Sequence, residues 1–497
     1  MGYPNGNGGK RRHRYTAVQR IIGQLLILFS FAAMLPPIIV DQFYERSVTQ
    51  AFLQGQWITL AVGTLIWWPT RRARAELKNR DGFLIAVLFW VALSLFGAIP
   101  LLLSGQAWDN PIDALFESLS GLTTTGTTTV AHGIDQLPHA INFYRAFLHW
   151  LGGMSIIVLA LAVLPILGIG GMQLSRADTP GPMKDSRLTP RITGTARSLW
   201  TIYVVLTVAC GLCYWMLGMS GFDAICHAMS TLATGGFSTH DNSFAYFNSA
   251  GIELVAIFFM LLGASNFALH YLAWKERSIA VYKRDAEFRS FLFIILIMSV
   301  LVCAPLIAAG VYPDSGTAIR KGVFQLVSYG ANGGFSTADP SYWPGYVPLL
   351  LVLASFMMSC SGGTGGGVKV VRLLLFVKQA FREMKRLVHP SAEVAIKLDG
   401  KVVSNDVVYA IGGFFSVYIG LTVILSFLMM TTGLDAVTSF SAVAASINNA
   451  GPGLFTVHAN VAGVTDFGKC VLMFSMLLGR LEIFTLLIIF TPTFWRR

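Results

Sequence analysis

The sequence predicts an all-α integral membrane protein with ten full transmembrane helices plus four re-entrant pore helices. These form four helix–pore loop–helix repeats around a pseudo-fourfold pore, with two extra N-terminal helices. Three observations carry that reading: an apolar composition, ten apolar runs of spanning length, and one glycine-centred segment written four times.

Composition sets the class. Of 497 residues, 54% are hydrophobic and only 12% charged, with a mean hydropathy of +0.62. An ordinary soluble chain does not reach those values. Apolar runs fall near residues 21–40, 51–69, 82–103, 141–168, 198–219, 248–274, 290–311, 346–376, 403–431 and 467–491. Each is long enough to cross about 30 Å of hydrocarbon as a helix. The first is kept as an anchor, because it passes through Pro36 and Pro37 without the small-residue pattern of a cleavable signal.

Orientation follows from the basic residues. Of 36 Lys and Arg, 30 lie in the arm Lys10 to Arg20, in the loops Arg71–Arg80, Arg176–Arg197, Lys275–Arg289 and Lys369–Lys401, or at Arg496 and Arg497. Ten spans put all of these on one side, so both termini are expected in the cytoplasm. The net charge of +11 is therefore an orientation signal towards membrane lipid. Nucleic acid is excluded as a partner for loops this short and this close to lipid. The six cysteines are scattered, and the one close pair, Cys210 and Cys213, lacks further ligands at metal spacing, so packing is its default role.

Internal repetition supplies the function. Gly-Gly-Phe-Ser-Thr occurs at 235–239 and again at 333–337. Asp113 to Gly126 matches Asp223 to Gly236 without gaps at Asp, Ala, Ser, Leu, Thr and Gly, and a fourth copy runs from Asp435 to Gly453 with about three extra residues before its glycine. Stacked, the ends read Thr124-Thr125-Gly126, Thr234-Gly235-Gly236, Asn332-Gly333-Gly334 and Asn449-Ala450-Gly451. Each copy orders a span, an apolar stretch of about 10–12 residues that is too short to cross, the glycine loop and another span. The stretch reads as a re-entrant helix returning as extended backbone. Residues 1–80 then hold the arm and two extra helices, and the repeats occupy 81–194, 195–286, 287–401 and 402–497.

A cation stripped of water needs oxygens at similar spacing, which carbonyl rings from four loops provide. Glycine reaches positive φ and admits close backbone approach. Asp113, Asp223 and Asp435 are expected as N-caps of the short helices, whose C-terminal ends, each carrying about half a negative charge, then favour a cation. Thr124, Thr234, Asn332 and Asn449 either brace the loops or lend an oxygen.

The run 346–376 contains Ser359 to Gly367, where Gly362, Gly363, Gly365, Gly366 and Gly367 flank Thr364. Each glycine costs a helix about 1 kcal/mol, so a break is expected, and broken backbone at this depth reads as a gate beneath the filter. A close-packing glycine patch is the alternative. Arg480 falls near the middle of 467–491, where a charge costs about 2.5–3.5 kcal/mol, so it should face the pore or a partner, with Glu482 elsewhere on the helix.

Through T-T-T-G, A-T-G-G-F-S-T, A-N-G-G-F-S-T and N-N-A-G-P-G, over almost all of its length, the chain resembles the Trk/Ktr/HKT superfamily of potassium transporters, and closely the TrkH branch. The resemblance implies that Gly126, Gly236, Gly334 and Gly451 are filter glycines for potassium. Glycine at all four positions accompanies potassium selectivity in the family, whereas a serine at the first accompanies sodium transport in plant-type relatives. It also implies an intramembrane gating loop followed by basic residues matching Lys369 and Arg372, and a conserved arginine matching Arg480 below the filter. Arg480 either restricts cations electrostatically or clamps the glycine loop. A homodimer in the cell inner membrane with a cytoplasmic nucleotide-binding TrkA-type regulatory ring is implied as well.

The expected function is potassium uptake through a channel-like pore, with no cofactor in the chain and potassium as substrate. A potassium symporter coupled to protons or sodium by alternating access is the alternative. No enzyme is expected: His-Glu-x-x-His, a nucleophile elbow and a P-loop are missing from the sequence, and its nine histidines are dispersed. No phosphate cradle can be written across 359–372.

Overall fold

Apolar periodicity and capping residues resolve into a chain of helices. The computed structural model describes residues 7–72, 79–162 and 188–496; the basic stretch at 73–78, the loop residues from Arg176 to Arg187 and Arg497 lie outside the described residues. Three helices come first: α1 (Asn7–Ala32), α2 (Leu35–Phe43) and α3 (Thr49–Trp67). The first predicted run is interrupted at Met34, because Pro36 and Pro37 lack the N–H groups that would continue the helical ladder and suit the first turn of the next helix.

Four sets follow. The first holds α4 (Asn79–Leu103), the short α5 (Pro111–Leu122) and α6 (His139–Ala162). The second holds α7 (Leu188–Met216), the short α8 (Gly221–Leu232), α9 (Ala250–Ala264), α10 (Phe267–Glu276) and α11 (Ala280–Arg284). The third holds α12 (Ala286–Ala308), the short α13 (Ser315–Gly330), α14 (Val347–Ala354) and α15 (Val370–Val388). A two-stranded antiparallel hairpin, β1 (Lys397–Leu398) and β2 (Lys401–Val402), leads to the fourth. That set holds α16 (Asn405–Met430), the short α17 (Ala436–Ile447), α18 (Asp466–Arg480), α19 (Phe484–Leu487) and α20 (Pro492–Trp495).

Among the described residues, five stretches are long and apolar enough to cross a membrane: Thr16–Phe43, Arg80–Leu103, Ala196–Met216, Ala286–Ala308 and Asn405–Met430. Two bent pairs raise this to seven if each is one span. Their outward faces carry large apolar side chains, such as Phe293, Leu296 and Val300 on α12, that water would not tolerate in such density.

Packing closes a ring. Each short helix lies against the long helix before it, α5 on α4, α8 on α7, α13 on α12 and α17 on α16. The helix after each short helix then packs on the next set's short helix: α6 on α8, α9 on α13, α14 on α17, and α18 back on α5. One core joins α1–α3 to the first and fourth sets through Phe29, Trp90, Tyr144 and Met476. A second unites the middle two sets through Tyr203, Phe259, Phe324 and Met358.

Two predicted single spans are sharply bent. The run 248–274 turns by 96° between α9 and α10, where Ser265 is extended and Asn266 accepts a hydrogen bond from the Ala268 N–H to cap a new helix. The run 467–491 turns by 109° after Arg480, where Glu482 and Ile483 both take positive φ.

Candidate functional site

The four short helices end in one backbone motif. The N–H groups of Thr125, Gly235, Gly333 and Ala450 donate to the carbonyls of Ser120, Ser230, Ser328 and Ala445, at 2.9, 2.8, 2.7 and 2.7 Å. This six-to-one bond turns the chain out of the helix through a left-handed residue. That residue is Thr124, Thr234, Asn332 or Asn449, with φ of 54, 51, 61 and 53°. Asparagine accepts this conformation; for a β-branched threonine it is strained by about 1–3 kcal/mol and persists only under the surrounding contacts. Two residues on, Gly126, Gly236, Gly334 and Gly451 have φ of 82, 95, 75 and 91°.

The four glycines meet. A Cβ on Gly126 would lie 1.9 Å from the Gly235 oxygen, on Gly236 2.5 Å from Gly334 Cα, on Gly334 2.8 Å from Gly236 Cα, and on Gly451 2.8 Å from the Thr125 oxygen. Side chains of neighbouring copies tie the loops together. Asn332 Nδ2 donates to the Asn448 carbonyl at 2.7 Å, Asn449 Nδ2 to Thr125 Oγ1 at 2.9 Å, and Thr127 Oγ1 to the Gly451 carbonyl at 2.7 Å. A cavity of about 340 Å³ borders all four glycines and is lined further by Arg145, His240, Asp241, Asp339 and His458.

The helix starts differ from expectation in an instructive way. Only Asp435 caps its helix, accepting from the N–H groups of Val437 and Thr438. Asn110 and Ser220 cap α5 and α8, and Asp314 caps α13. Asp113 and Asp223 sit inside the first turn, because Pro111 and Gly221 already occupy its first position. Sixteen residues thus separate Asn110, Ser220 and Asp435 from Gly126, Gly236 and Gly451, so the fourth copy has no insertion, and the third is one turn longer from Asp314 to Gly334.

Below the loop ends, no helix is assigned to residues 355–369, between α14 and α15. Gly362 and Gly367 adopt positive φ there. A Cβ on Gly363 would lie 2.5 Å from the Ala264 oxygen, on Gly365 2.7 Å from Ser359 Oγ, and on Gly366 2.0 Å from the Asn448 oxygen. Thr364 is the anchor: its hydroxyl is 3.0 Å from the carbonyls of both Leu232 and Gly263 and 3.1 Å from Thr234 Oγ1. Arg480, 3% exposed, donates from Nη1 to the Thr364 carbonyl at 3.1 Å and from Nη2 to the Gly152 carbonyl at 2.8 Å. Lys369 Nζ turns back onto the Gly365 carbonyl. Arg372 pairs with Glu482 at 2.6 Å and lies over the Phe414 ring. Glu482 therefore lies beyond the last turn of α18, facing Arg372, and not on a continuing helix.

Comparison with known proteins fits this architecture. The family described as "TrkH: Cation transport protein" matches residues 48–497. The chain belongs to the TrkH family. It is 49% identical to the Trk system potassium uptake protein TrkH of Halomonas elongata over 97% of this chain and 99% of that protein. It is 47% identical to the protein of that name from Escherichia coli K12, again over 97% and 99%. The crystal structure of the potassium transporter TrkH from Vibrio parahaemolyticus superposes with a TM-score of 0.90 at 46% identity, covering 97% of this chain and all of that one. These TrkH-family relatives are named as uptake proteins and transporters, not enzymes.

Some residues of this TrkH-family site escaped sequence reasoning. Six basic residues lie outside the basic loops, the arm and the tail, and four form buried ion pairs or clamps: Arg145 with Glu117 at 2.8 Å, Lys321 with Glu253 at 2.7 Å, Lys469 with Asp113 at 2.6 Å, and Arg480 on its carbonyls. Their signal was arithmetic: they remain once the basic loops are subtracted. Outside the ring, His240 Nδ1 lies 2.5 Å from Asp135 while the Asp241 carboxylate accepts from the Gly133 and Ile134 N–H groups at 2.9 Å, joining the first and second copies. Burial alone would lower the His240 pKa, but Asp223 and Asp135 outweigh it and hold it above its ordinary value. All six cysteines are free thiols, Cys210 buried and Cys213 half-buried. Among the described residues no cluster of three or more His, Cys, Asp or Glu is placed to hold a metal ion.

Proposed function

We propose that the chain takes up potassium across the cell inner membrane through a channel-like pore whose filter is the ring of Thr124–Gly126, Thr234–Gly236, Asn332–Gly334 and Asn449–Gly451. The observation that carries this reading is the convergence of four glycines at positive φ, each too close to a neighbouring loop to accept a β-carbon. Repeated carbonyls on one axis can replace the hydration shell of a cation, and the short helices direct their negative C-terminal ends towards it. The relatives' names supply potassium as the ion.

In this reading ten spans and four re-entrant helices surround the axis, divided as 1–80, 81–194, 195–286, 287–401 and 402–497, with both termini cytoplasmic. The segment Gly362–Gly367 is the gate, held closed under the ring by Thr364, Lys369 and Arg480, while Arg372 and Glu482 link it to the last set. Contacts of Arg480 with two carbonyls favour a clamp as the means by which it gates. A homodimer and a cytoplasmic nucleotide-binding TrkA-type ring complete the assembly, the ring moving α15 and so the gate.

The experiment is ion flux into liposomes holding the purified chain, comparing potassium, rubidium, sodium and an organic solute under imposed gradients. Potassium and rubidium flux that runs down its own gradient is expected. Organic uptake without potassium flux would sink the pore, and potassium uptake that requires a proton or sodium gradient would favour coupled symport.

A further inference from the structure

Nine residues before each ring glycine stand Glu117, His227, Gln325 and Ala442, and all four are buried. Two residues after each ring glycine stand Thr128, Ser238, Ser336 and Gly453. In three copies the two columns meet behind the loop. Thr128 Oγ1 donates to the Glu117 carboxylate at 2.9 and 3.0 Å, His227 Nε2 lies 2.9 Å from Ser238 Oγ, and Gln325 Nε2 donates to Ser336 Oγ at 3.1 Å. In the fourth copy both positions lack a polar side chain, and a neighbour substitutes: the Tyr329 hydroxyl, on α13 of the third copy, donates to the Gly453 carbonyl at 2.7 Å.

Three unlike side chains make the same contact, and a fourth arrangement replaces it where it is lost. That pattern points to a requirement on loop position and not to a shared ancestral residue. A loop with two positive-φ residues per copy holds its shape only if something behind it does the holding. The first brace also reaches the second loop: Arg145 donates from Nε to Glu117 at 2.8 Å and from Nη1 to the Ser238 carbonyl at 3.2 Å, with its guanidinium over the Phe237 ring.

We propose that Glu117, His227, Gln325 and Tyr329 are positioning residues that fix the four loops from behind and thereby set how strictly the ring separates potassium from sodium. This rests on the filter reading above. A buried hydrogen bond stripped of one partner leaves the other unsatisfied, which shifts a local equilibrium by tenfold or more, so loops lacking a brace visit positions that accept the smaller ion.

The test uses the full chain in liposomes, with potassium and sodium flux read as a ratio. His227→Leu and Gln325→Leu are each expected to lower that ratio about tenfold, with folded protein still recovered as a single species. His227→Gln, which installs the third copy's own side chain, is expected to hold the ratio within about twofold. Should a leucine variant fail to fold, Ser238→Ala and Ser336→Ala remove the same contacts from the loop side and are expected to lower the ratio as well. Wild-type ratios throughout would overturn the proposal. Gly126→Ser serves as the control: a shift there with none in the brace variants defeats the braces alone, and no shift in either defeats the filter reading too.

Discussion

The two halves of the proposed pore obey different rules. At the ring, four loops adopt the same backbone, with left-handed residues at matched positions and the same six-to-one hydrogen bond. Below it, the helices that follow the loops diverge: α9 gives way to α10 at 96°, α14 to α15 across residues 355–369, and α18 to α19 at 109°. Selection among ions needs equivalent oxygens on an axis and rewards symmetry. On the proposed function, opening and closing needs an element that can move against fixed neighbours, and the other two breaks provide surfaces on which the third, holding the Gly362–Gly367 segment, is seated.

The largest effect should come from breaking the symmetric half. Gly236→Ala places a β-carbon about 2.5 Å from Gly334 Cα at a positive φ; strain of about 1–3 kcal/mol corresponds to up to roughly 100-fold loss of potassium uptake. Complementation of a potassium-dependent strain reads it out, and near-normal growth would contradict the ring. Next, in the asymmetric half, shortening the Gly362–Gly367 loop is expected to raise flux through the purified chain alone, and flux at the wild-type level would remove the loop from the proposed gate.

Thr364→Val should act in the same direction more weakly. It keeps the volume but loses the hydroxyl contacts to Leu232, Gly263 and Thr234. A buried hydrogen bond contributes about 1 kcal/mol, so basal flux should rise about fivefold. Arg480→Gln tests the clamp against the charge: if its carbonyl contacts matter, glutamine retains part of the closure, whereas a purely electrostatic block is lost with the charge.

The smallest effect belongs to the outer link between the first two copies. His240 is held above its ordinary pKa, so its contribution to stability is complete below about pH 6.5 and fades as pH rises through the raised value. Thermal unfolding of the detergent-solubilised chain should therefore show a modest loss of stability on the alkaline side that His240→Ala abolishes. An unchanged pH profile in that variant would remove the histidine from the link.

The ring was legible in the sequence because four copies impose the same backbone, and only glycine fits where a β-carbon would meet a neighbouring loop. The break after Ala354 was legible because five glycines in six residues announce it. The bends at Ser265 and Leu481 were not, since no such run marks them: one rests on Ser265 and the Asn266 cap, the other on positive φ at Glu482 and Ile483 inside an apolar stretch. The capping assignments missed for a similar reason. Asp113 and Asp223 have the right chemistry, yet Asn110 and Ser220 stand where the helices begin. Glu117 and Arg145 lie 28 residues apart on different helices, a pairing that only the packed ring reveals.

The most direct measurement is the potassium-to-sodium permeability ratio, from reversal potentials of the reconstituted chain, for wild type against Gly126→Ser. A wild-type ratio well above one that falls in the serine variant is the result expected of a four-glycine filter in this register. An identical ratio in the two proteins would contradict it.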